Sequence, residues 1–148
     1  MSLPARKPAR FSRLWFRSRW KLLRAVTAES RGKFGSAIEL LDEAADIIPL
    51  ESVFRVWRAM LLLRVERVDD AYAAFDALRQ EFKGSAHPDR QYLRHYCTGM
   101  LSLMQVGSGQ WSYEAKQGNA IKCSRRLKVL FPMVSVDDIH KKIRPRRH

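Results

Sequence analysis

The clearest signal of the fold is the stretch GKFGSAIELLDEAADIIP, residues 32–49. Its apolar residues recur at three- and four-residue intervals from Ala37 to Ile48, so they share one face of a helix. Pro49 ends this helix because proline lacks an amide hydrogen and disfavours a helical residue before it. Gly32 interrupts the pattern upstream and leaves a short turn, with another helix before it. The stretch therefore predicts a helical hairpin.

A second helical hairpin is predicted over residues 52–82, where two helix-permissive segments flank a turn near Glu66 and Arg67. Ala37 and Ala71 hold the same place in the second helices of the two hairpins. The same sequence separation relates Leu41 to Phe75 and Ala44 to Leu78. A helix-turn-helix unit that recurs with a period of about 34 residues is typical of a repeat architecture.

These residues resemble the tetratricopeptide repeat. The positions that match in the first unit are Gly32, Phe34, Ala37, Leu41, Ala44 and Pro49. In the second unit Ala71 and Phe75 match, whereas Glu66 replaces the turn glycine and Lys83 the closing proline. The resemblance implies an all-α, short array of stacked antiparallel helical hairpins without catalytic activity.

The same resemblance implies a protein partner, bound in a concave groove that the first helix of each hairpin lines. In the second unit the groove positions are Val53, Val56, Met60, Leu63 and Arg64. Because most of them are apolar, a second interpretation stays open, in which the N-terminal helix of the chain itself covers them.

The predicted organisation has five parts. Residues 1–17 form a basic N-terminal extension, and residues 133–148 form a basic C-terminal tail. Between them lie units at about 18–50 and 52–83 and a degenerate third unit at 86–132, which needs an insertion around Gly107–Gly109 to keep the spacing. Ser135, three residues before Asp138, is expected to cap a last helical turn.

Charge is distributed unevenly along the chain. The net charge is +13 at pH 7: residues 1–28 carry +8, residues 29–82 carry −4 and residues 83–148 carry +9. Two cationic ends favour an anionic partner, such as RNA, a ribonucleoprotein, an acidic protein or a membrane surface.

The N-terminal segment 11–26 combines basic and apolar residues. On a helical projection they fall on opposite faces, which is the pattern of a basic amphipathic helix. Arginine pairs with phosphate, and tryptophan stacks on bases or lies at a membrane interface. The residues predicted to contact an anionic surface here are Arg10, Arg13, Trp15, Arg17, Trp20 and Arg24.

A second basic surface is predicted near the C-terminus. Ala120, Cys123, Leu127 and Leu130 are expected to face the core, with the basic residues of the same helix facing solvent. The predicted contact residues, including those of the tail, are Lys122, Arg125, Arg126, Lys141, Lys142, Arg144, Arg146 and Arg147.

Two hypotheses of function follow. In the first, the protein is a non-catalytic adaptor that binds a protein partner, while its cationic ends attach to a polyanion. In the second, it is a peripheral membrane protein, or a small subunit of a membrane assembly, anchored by the N-terminal helix. That helix could also be an organelle-targeting presequence, or could simply pack its apolar face on the first hairpin.

Several other classes of protein fit the sequence poorly. Cys97 and Cys123 form neither a disulfide framework nor a zinc motif, so we expect no metal, no cofactor and a reducing, cytoplasmic location. His95 and Cys97 are two apart and would point to different sides of a helix, so they cannot act together as base and nucleophile. We expect no enzymatic activity and no small-molecule substrate. No apolar run is long and uninterrupted enough to predict a membrane span.

Overall fold

The computed structural model describes residues 12–106 and 112–143. Within these ranges the chain forms seven α-helices and no strand, which confirms the predicted all-α helical array. The helices are α1 (Arg13–Ser30), α2 (Phe34–Ile47), α3 (Ser52–Arg64), α4 (Val68–Phe82), α5 (Pro88–Val106), α6 (Ser112–Leu130) and α7 (Val136–Ile143).

The described residues fall into two compact units that divide between Leu50 and Glu51. The first unit contains α1 and α2, packed against each other. In the second unit α4 packs against α3 and α5, while α6 packs against α3, α5 and α7. Joined by turns of a few residues, α1 with α2 and α3 with α4 form helical hairpins.

The turns of these two hairpins have the same backbone geometry. Gly32 has a φ of 74°, and Glu66, its equivalent one repeat later, has a φ of 62°. In the first turn the amides of Gly32 and Lys33 donate to the carbonyls of Glu29 and Ala28, at 2.9 and 2.8 Å. In the second turn the corresponding amides donate to Leu63 and Leu62, at 3.0 and 2.9 Å. Both are Schellman motifs, which end a helix with one left-handed residue.

Replacing Glu66 with glycine is expected to stabilise the second unit by about 0.5–1 kcal/mol. A side chain costs energy at a left-handed φ, and the gain exceeds the extra entropy that glycine has in the unfolded chain. The measurement is the urea midpoint of unfolding. Gly32→Ala is the matched reverse change and should destabilise, although nothing lies within 4 Å of the added Cβ. A destabilised Glu66→Gly variant would contradict the assignment of strain to this φ.

The small residues at the repeat positions are buried where helices approach closely. Ala25 and Ala59, one repeat period apart, are fully buried, as are Ala37 and Ala71. In α5 the side chains of Leu93 and Tyr96 are buried one further period after Ala59 and Leu62, so the register continues into the second unit's third helix. The structure is therefore repeat-like through α5.

Helix α6 departs from this regularity. In a stack of identical hairpins, α6 would be equivalent to α4 and would lie beside it. Instead α6 packs against α3, and the Arg125 guanidinium carbon lies 4.9 Å from the centre of the Trp57 ring. The insertion predicted at Gly107–Gly109 lies outside the described residues.

The predicted orientation of α6 is wrong for three of its four residues. Ala120 is buried as predicted, but Cys123, Leu127 and Leu130 are exposed instead of facing the core. The buried side of α6 carries Ile121, Ser124, Arg125, Lys128 and Val129. On this side Arg125 lies over the Trp57 ring and Lys128 lies beside Asp89, and the helix is rotated by about a third of a turn from the orientation that the predicted apolar face would give.

Two helices extend into the segments predicted as extension and tail. Helix α1 begins at Arg13, within the segment 11–26 predicted as a basic amphipathic helix, because the Ser12 hydroxyl accepts a hydrogen bond from the Trp15 amide at 3.1 Å. The predicted tail from residue 133 contains α7. Its cap is the predicted one: the Asp138 amide donates to the Ser135 hydroxyl at 3.3 Å.

One carboxylate joins the last three helices. Asp89, in the first turn of α5, accepts hydrogen bonds from the Ser135 hydroxyl at 2.7 Å and from the Asp137 amide at 3.0 Å. The Lys128 ammonium of α6 lies 3.4 Å from its other oxygen. Because Asp89 and Lys128 are both buried, this cluster holds α6 and α7 against the start of α5.

Candidate anion-binding site

The solvent side of α1 carries an aromatic and aliphatic stripe next to arginines. Phe16, Trp20 and Leu23 recur at intervals of four and three residues and have exposed fractions of 54%, 61% and 39%. Three arginines complete this side of the helix, and we call the six residues the α1 outer face: Arg13, Phe16, Arg17, Trp20, Leu23 and Arg24. No acidic residue occurs in α1 before Glu29.

The register of α1 follows from its opposite side. Trp15, Leu22, Ala25 and Val26 are buried. Since about 3.6 residues make one turn, this buried set leaves Phe16, Trp20 and the arginines in solvent. Exposed aromatic side chains next to several arginines are uncommon on a protein surface that contacts only water. The α1 outer face is therefore a candidate for ligand contact.

A groove with a volume of about 450 Å³ lies within the first unit, between α1 and α2. We call it the α1–α2 groove. Its walls carry one exposed indole, three cations, two hydroxyls and three apolar side chains. The lining residues are Trp20, Leu23, Arg24, Thr27, Ala28, Arg31, Lys33, Ser36 and Leu40. No carboxylate, imidazole or thiol is among them.

The charges of the α1–α2 groove are not neutralised locally. Lys21, also on α1, is paired with Glu43 at 2.8 Å, but it does not line the groove. Within the described residues, Arg24, Arg31 and Lys33 form no ion pair. Three such cations around one concavity attract anions and stabilise a phosphate through charge-assisted hydrogen bonds.

The chemistry of the groove is that of binding. An indole face stacks on a planar ring, guanidinium and ammonium groups neutralise phosphate, and hydroxyls donate to phosphate or sugar oxygens. The lining holds no imidazole, carboxylate or thiol beside its two hydroxyls. Among the described residues, no group of His, Cys, Asp and Glu side chains is arranged to hold a metal ion.

The structure separates the predicted N-terminal contact residues. Arg13, Arg17, Trp20 and Arg24 share the α1 outer face, whereas Arg10 lies outside the described residues. The prediction for Trp15 is wrong, because this side chain is buried, with the Arg19 guanidinium 5.3 Å from its ring centre. Trp15 therefore belongs to the packing of α1 and not to the α1 outer face.

Within the described residues up to 143, the predicted C-terminal contact residues differ in exposure and pairing. Arg125 is buried, so its prediction is wrong, and Lys122 is half-buried. Arg126, Lys141 and Lys142 are exposed, but Lys141 pairs with Asp137 at 2.8 Å. The remaining tail residues, Arg144, Arg146 and Arg147, lie outside the described residues.

The predicted partner groove on α3 is closed. Val53, Val56, Met60 and Leu63 are all buried, with exposed fractions between 0% and 8%, so the prediction that they line an open groove is wrong. Only Arg64 of this set is exposed. Nine residues of α3 are buried, since within its own unit the helix packs against α4, α5 and α6.

Sequence reasoning missed Phe16, Leu23, Arg31 and Lys33 as site residues. The signal was present in the repeat itself, because the alanine expected at close helix contacts, Ala25, fixes the buried side of α1. Residues opposite Ala25 must then face solvent. Arg31 and Lys33 flank the turn glycine, where their side chains meet the end of α1.

Comparisons with protein-family models, curated proteins and solved structures found no match to this chain. In the described part of the chain, no helix combines the length and apolar character that a membrane crossing requires. The assignment of function therefore depends on the geometry of the α1 outer face and the α1–α2 groove.

Proposed function

We propose that the protein is a non-catalytic adaptor that attaches to single-stranded RNA through the α1 outer face and the α1–α2 groove. One observation supports this proposal above others: an exposed indole and three cations line a single groove without a carboxylate. Proteins that bind single strands combine this kind of basic groove with aromatic side chains that stack on bases. The resemblance to tetratricopeptide repeats supports the non-catalytic part of the proposal.

The proposal assigns separate tasks to the residues of the site. Arg24, Arg31 and Lys33 neutralise consecutive phosphates, which supplies affinity without sequence preference. Trp20 stacks on a base. The hydroxyls of Thr27 and Ser36 lie in the same lining and are suited to hydrogen bonds with sugar or phosphate oxygens.

The test measures binding of a fluorescently labelled single-stranded RNA by anisotropy over a range of salt concentrations. Replacing Arg24, Arg31 and Lys33 together with alanine is expected to weaken binding about tenfold or more and to reduce the salt slope by about 2, since each neutralised phosphate contributes about 0.7. Trp20→Ala is expected to cost about 1–3 kcal/mol of binding with little change in slope. Trp20→Phe should restore part of this loss.

The matched control removes the same number of cations from the second unit. Lys83, Arg90 and Lys142 are exposed, and their combined replacement with alanine changes net charge equally. It should reduce affinity much less than the groove variant. Equal losses in the two variants, or no binding at low salt, would contradict a site in the first unit.

One observation favours membrane attachment as a second candidate function. Phe16 and Leu23 extend the exposed apolar surface of α1 beyond the groove, and a basic helix with such a stripe lies well at an anionic interface. Trp20 is its natural reporter, because Trp15 and Trp57 are buried. In a Trp111→Phe background, a blue shift of Trp20 fluorescence with phosphatidylserine vesicles at physiological salt would favour membrane over RNA.

A further inference from the structure

Helix α6 ends in a group of exposed apolar residues. Leu127 and Leu130 have exposed fractions of 45% and 55%, and Phe131 and Met133 have 56% and 84%. Cys123, one turn before Leu127, is also exposed. These five residues are called the α6 patch.

The polarity of α6 is partly inverted. Its buried side carries Ser124, Arg125 and Lys128, with exposed fractions of 0%, 4% and 8%, beside the apolar Ala120, Ile121 and Val129, while leucines point outward. Burying cations costs desolvation energy, and exposing large apolar side chains gains nothing in an isolated protein. The inversion is expected where the outward side is used for contact with another molecule.

The spacing of the α6 patch fits a helix as its partner. Cys123, Leu127 and Leu130 recur at intervals of four and three residues, so they form one ridge along the outward side. Lys122 and Arg126 follow one edge of this ridge on the same helical projection. A partner with apolar residues facing the ridge and carboxylates facing that edge would match both features.

We propose that the α6 patch docks an acidic amphipathic helix of a partner protein. This inference rests on the proposed adaptor function, because an adaptor needs a surface that binds a protein. The α6 patch supplies that surface, whereas the residues predicted for it on α3 are buried. RNA attachment depends on residues of the first unit, so either proposal can fail alone. A second copy of the chain is disfavoured as occupant, since each copy carries a net charge of +13.

The test uses Cys123 as a reporter built into the α6 patch. The only other thiol of the chain, Cys97, is buried, and burial raises its pKa to about 12, so it stays protonated and unreactive at neutral pH. The rate at which the unmodified protein reacts with a disulfide reagent therefore reports access to Cys123. No label has to be attached before binding.

Two synthetic helical peptides of about three heptads serve as probes. Both carry leucine at the core positions, and they differ only in glutamate or lysine at the flanking positions. The glutamate peptide is expected to slow the reaction of Cys123 about tenfold at saturation, and the lysine peptide to leave it unchanged. Equal protection by both peptides, or protection by neither, would overturn the proposal.

Variants locate the contact and separate it from RNA binding. Leu127→Ser with Leu130→Ser should abolish the protection while circular dichroism and RNA affinity stay unchanged, because both side chains are exposed. Leu14→Ser, at a leucine of the first unit that is also 45% exposed, is the matched control and should leave protection intact. If Cys123 reacts more slowly at high protein concentration without any peptide, the α6 patch binds a second copy of the chain instead. If anionic vesicles protect Cys123, the patch binds a membrane.

Discussion

Replacing Asp89 with alanine is expected to lower the free energy of unfolding of the second unit by about 3 kcal/mol. The change removes the acceptor for the Ser135 hydroxyl and the Asp137 amide, and it leaves the buried ammonium of Lys128 without its carboxylate. Leaving a buried charge uncompensated is among the more damaging single changes. Urea unfolding provides the free energy, and hydrogen exchange should show the amides of α7 opening first.

The effect of Asp89 should depend on pH in a defined direction. Burial raises the pKa of Asp89, but the hydrogen bonds from Ser135 and Asp137 and the attraction of Lys128 outweigh it and hold this pKa below its ordinary value of 3.8. A carboxyl with a lowered pKa in the folded state stabilises the fold above its unfolded pKa, and the contribution disappears as pH falls through the folded pKa. The difference between wild type and Asp89→Ala should therefore be constant near neutral pH and narrow below about 3.8.

Two further variants define the contribution of Asp89. Asp89→Asn keeps an oxygen acceptor but loses the charge, so its cost should be intermediate near neutral pH and should also narrow below about 3.8, because the wild-type carboxyl is protonated there. Asp138→Ala removes an exposed carboxylate from the first turn of α7 and should cost less than about 1 kcal/mol. A cost for Asp138→Ala as large as that for Asp89→Ala would show that the charge of the helix terminus, and not the buried cluster, holds α7.

The sequence was sufficient for the features that local rules determine. The repeat period, the turn at Gly32 and its counterpart at Glu66, and the cap at Ser135 depend on helical periodicity, backbone sterics and hydrogen bonds between near neighbours. The structure shows both turns and the cap. At Glu66 the turn has the same left-handed backbone geometry as at Gly32, although glycine, the residue that favours this geometry, is absent.

The predictions that failed depend on contacts between distant helices. For α6, burying Leu127 and Leu130 was the simplest inference from hydrophobicity, and it was wrong: on the buried side Arg125 lies over the Trp57 ring and Lys128 lies beside Asp89. Neither partner is near α6 in sequence. For α3, the groove positions were assigned from the tetratricopeptide resemblance. That resemblance gives no helix in the place where α6 packs against α3.

The candidate site shows both outcomes within one helix. Arg24 and Trp20 were predicted as contact residues from the basic and aromatic character of the amphipathic segment, and both line the α1–α2 groove. Trp15 was predicted in the same way and is buried. Residue type alone does not separate Trp15 from Trp20. The helical register separates them, and Ala25 marks the buried side of that register.

Arg125 and Arg126 are adjacent cations with opposite surroundings, and exchanging each for alanine should separate stability from anion binding. Arg125→Ala is expected to destabilise the second unit by about 2 kcal/mol, because it removes a buried side chain from the face of the Trp57 ring. Arg126→Ala should change stability by less than about 0.5 kcal/mol, since Arg126 is exposed. Urea unfolding of both variants at neutral pH is the measurement.

The reason that Arg125 stabilises the fold should be its shape more than its charge. Burial lowers the pKa of Arg125 to about 10, with a further contribution from the repulsion of Arg126, so the folded state disfavours the charged form. A group of this kind destabilises the fold while charged, and stability is regained as pH rises through the folded pKa. Arg125→Met, which keeps most of the aliphatic volume and carries no charge, should therefore lose less than half of what Arg125→Ala loses.

The opposite pattern is expected for the α6 patch. Arg126→Ala should weaken the protection of Cys123 by the glutamate peptide, because Arg126 borders the ridge, while Arg125→Met should leave that protection unchanged. If Arg125→Met destabilises as strongly as Arg125→Ala, the charge of Arg125 holds α6 in place. The inverted polarity of the helix would then be a requirement of folding, and the outward leucines would no longer by themselves indicate a partner.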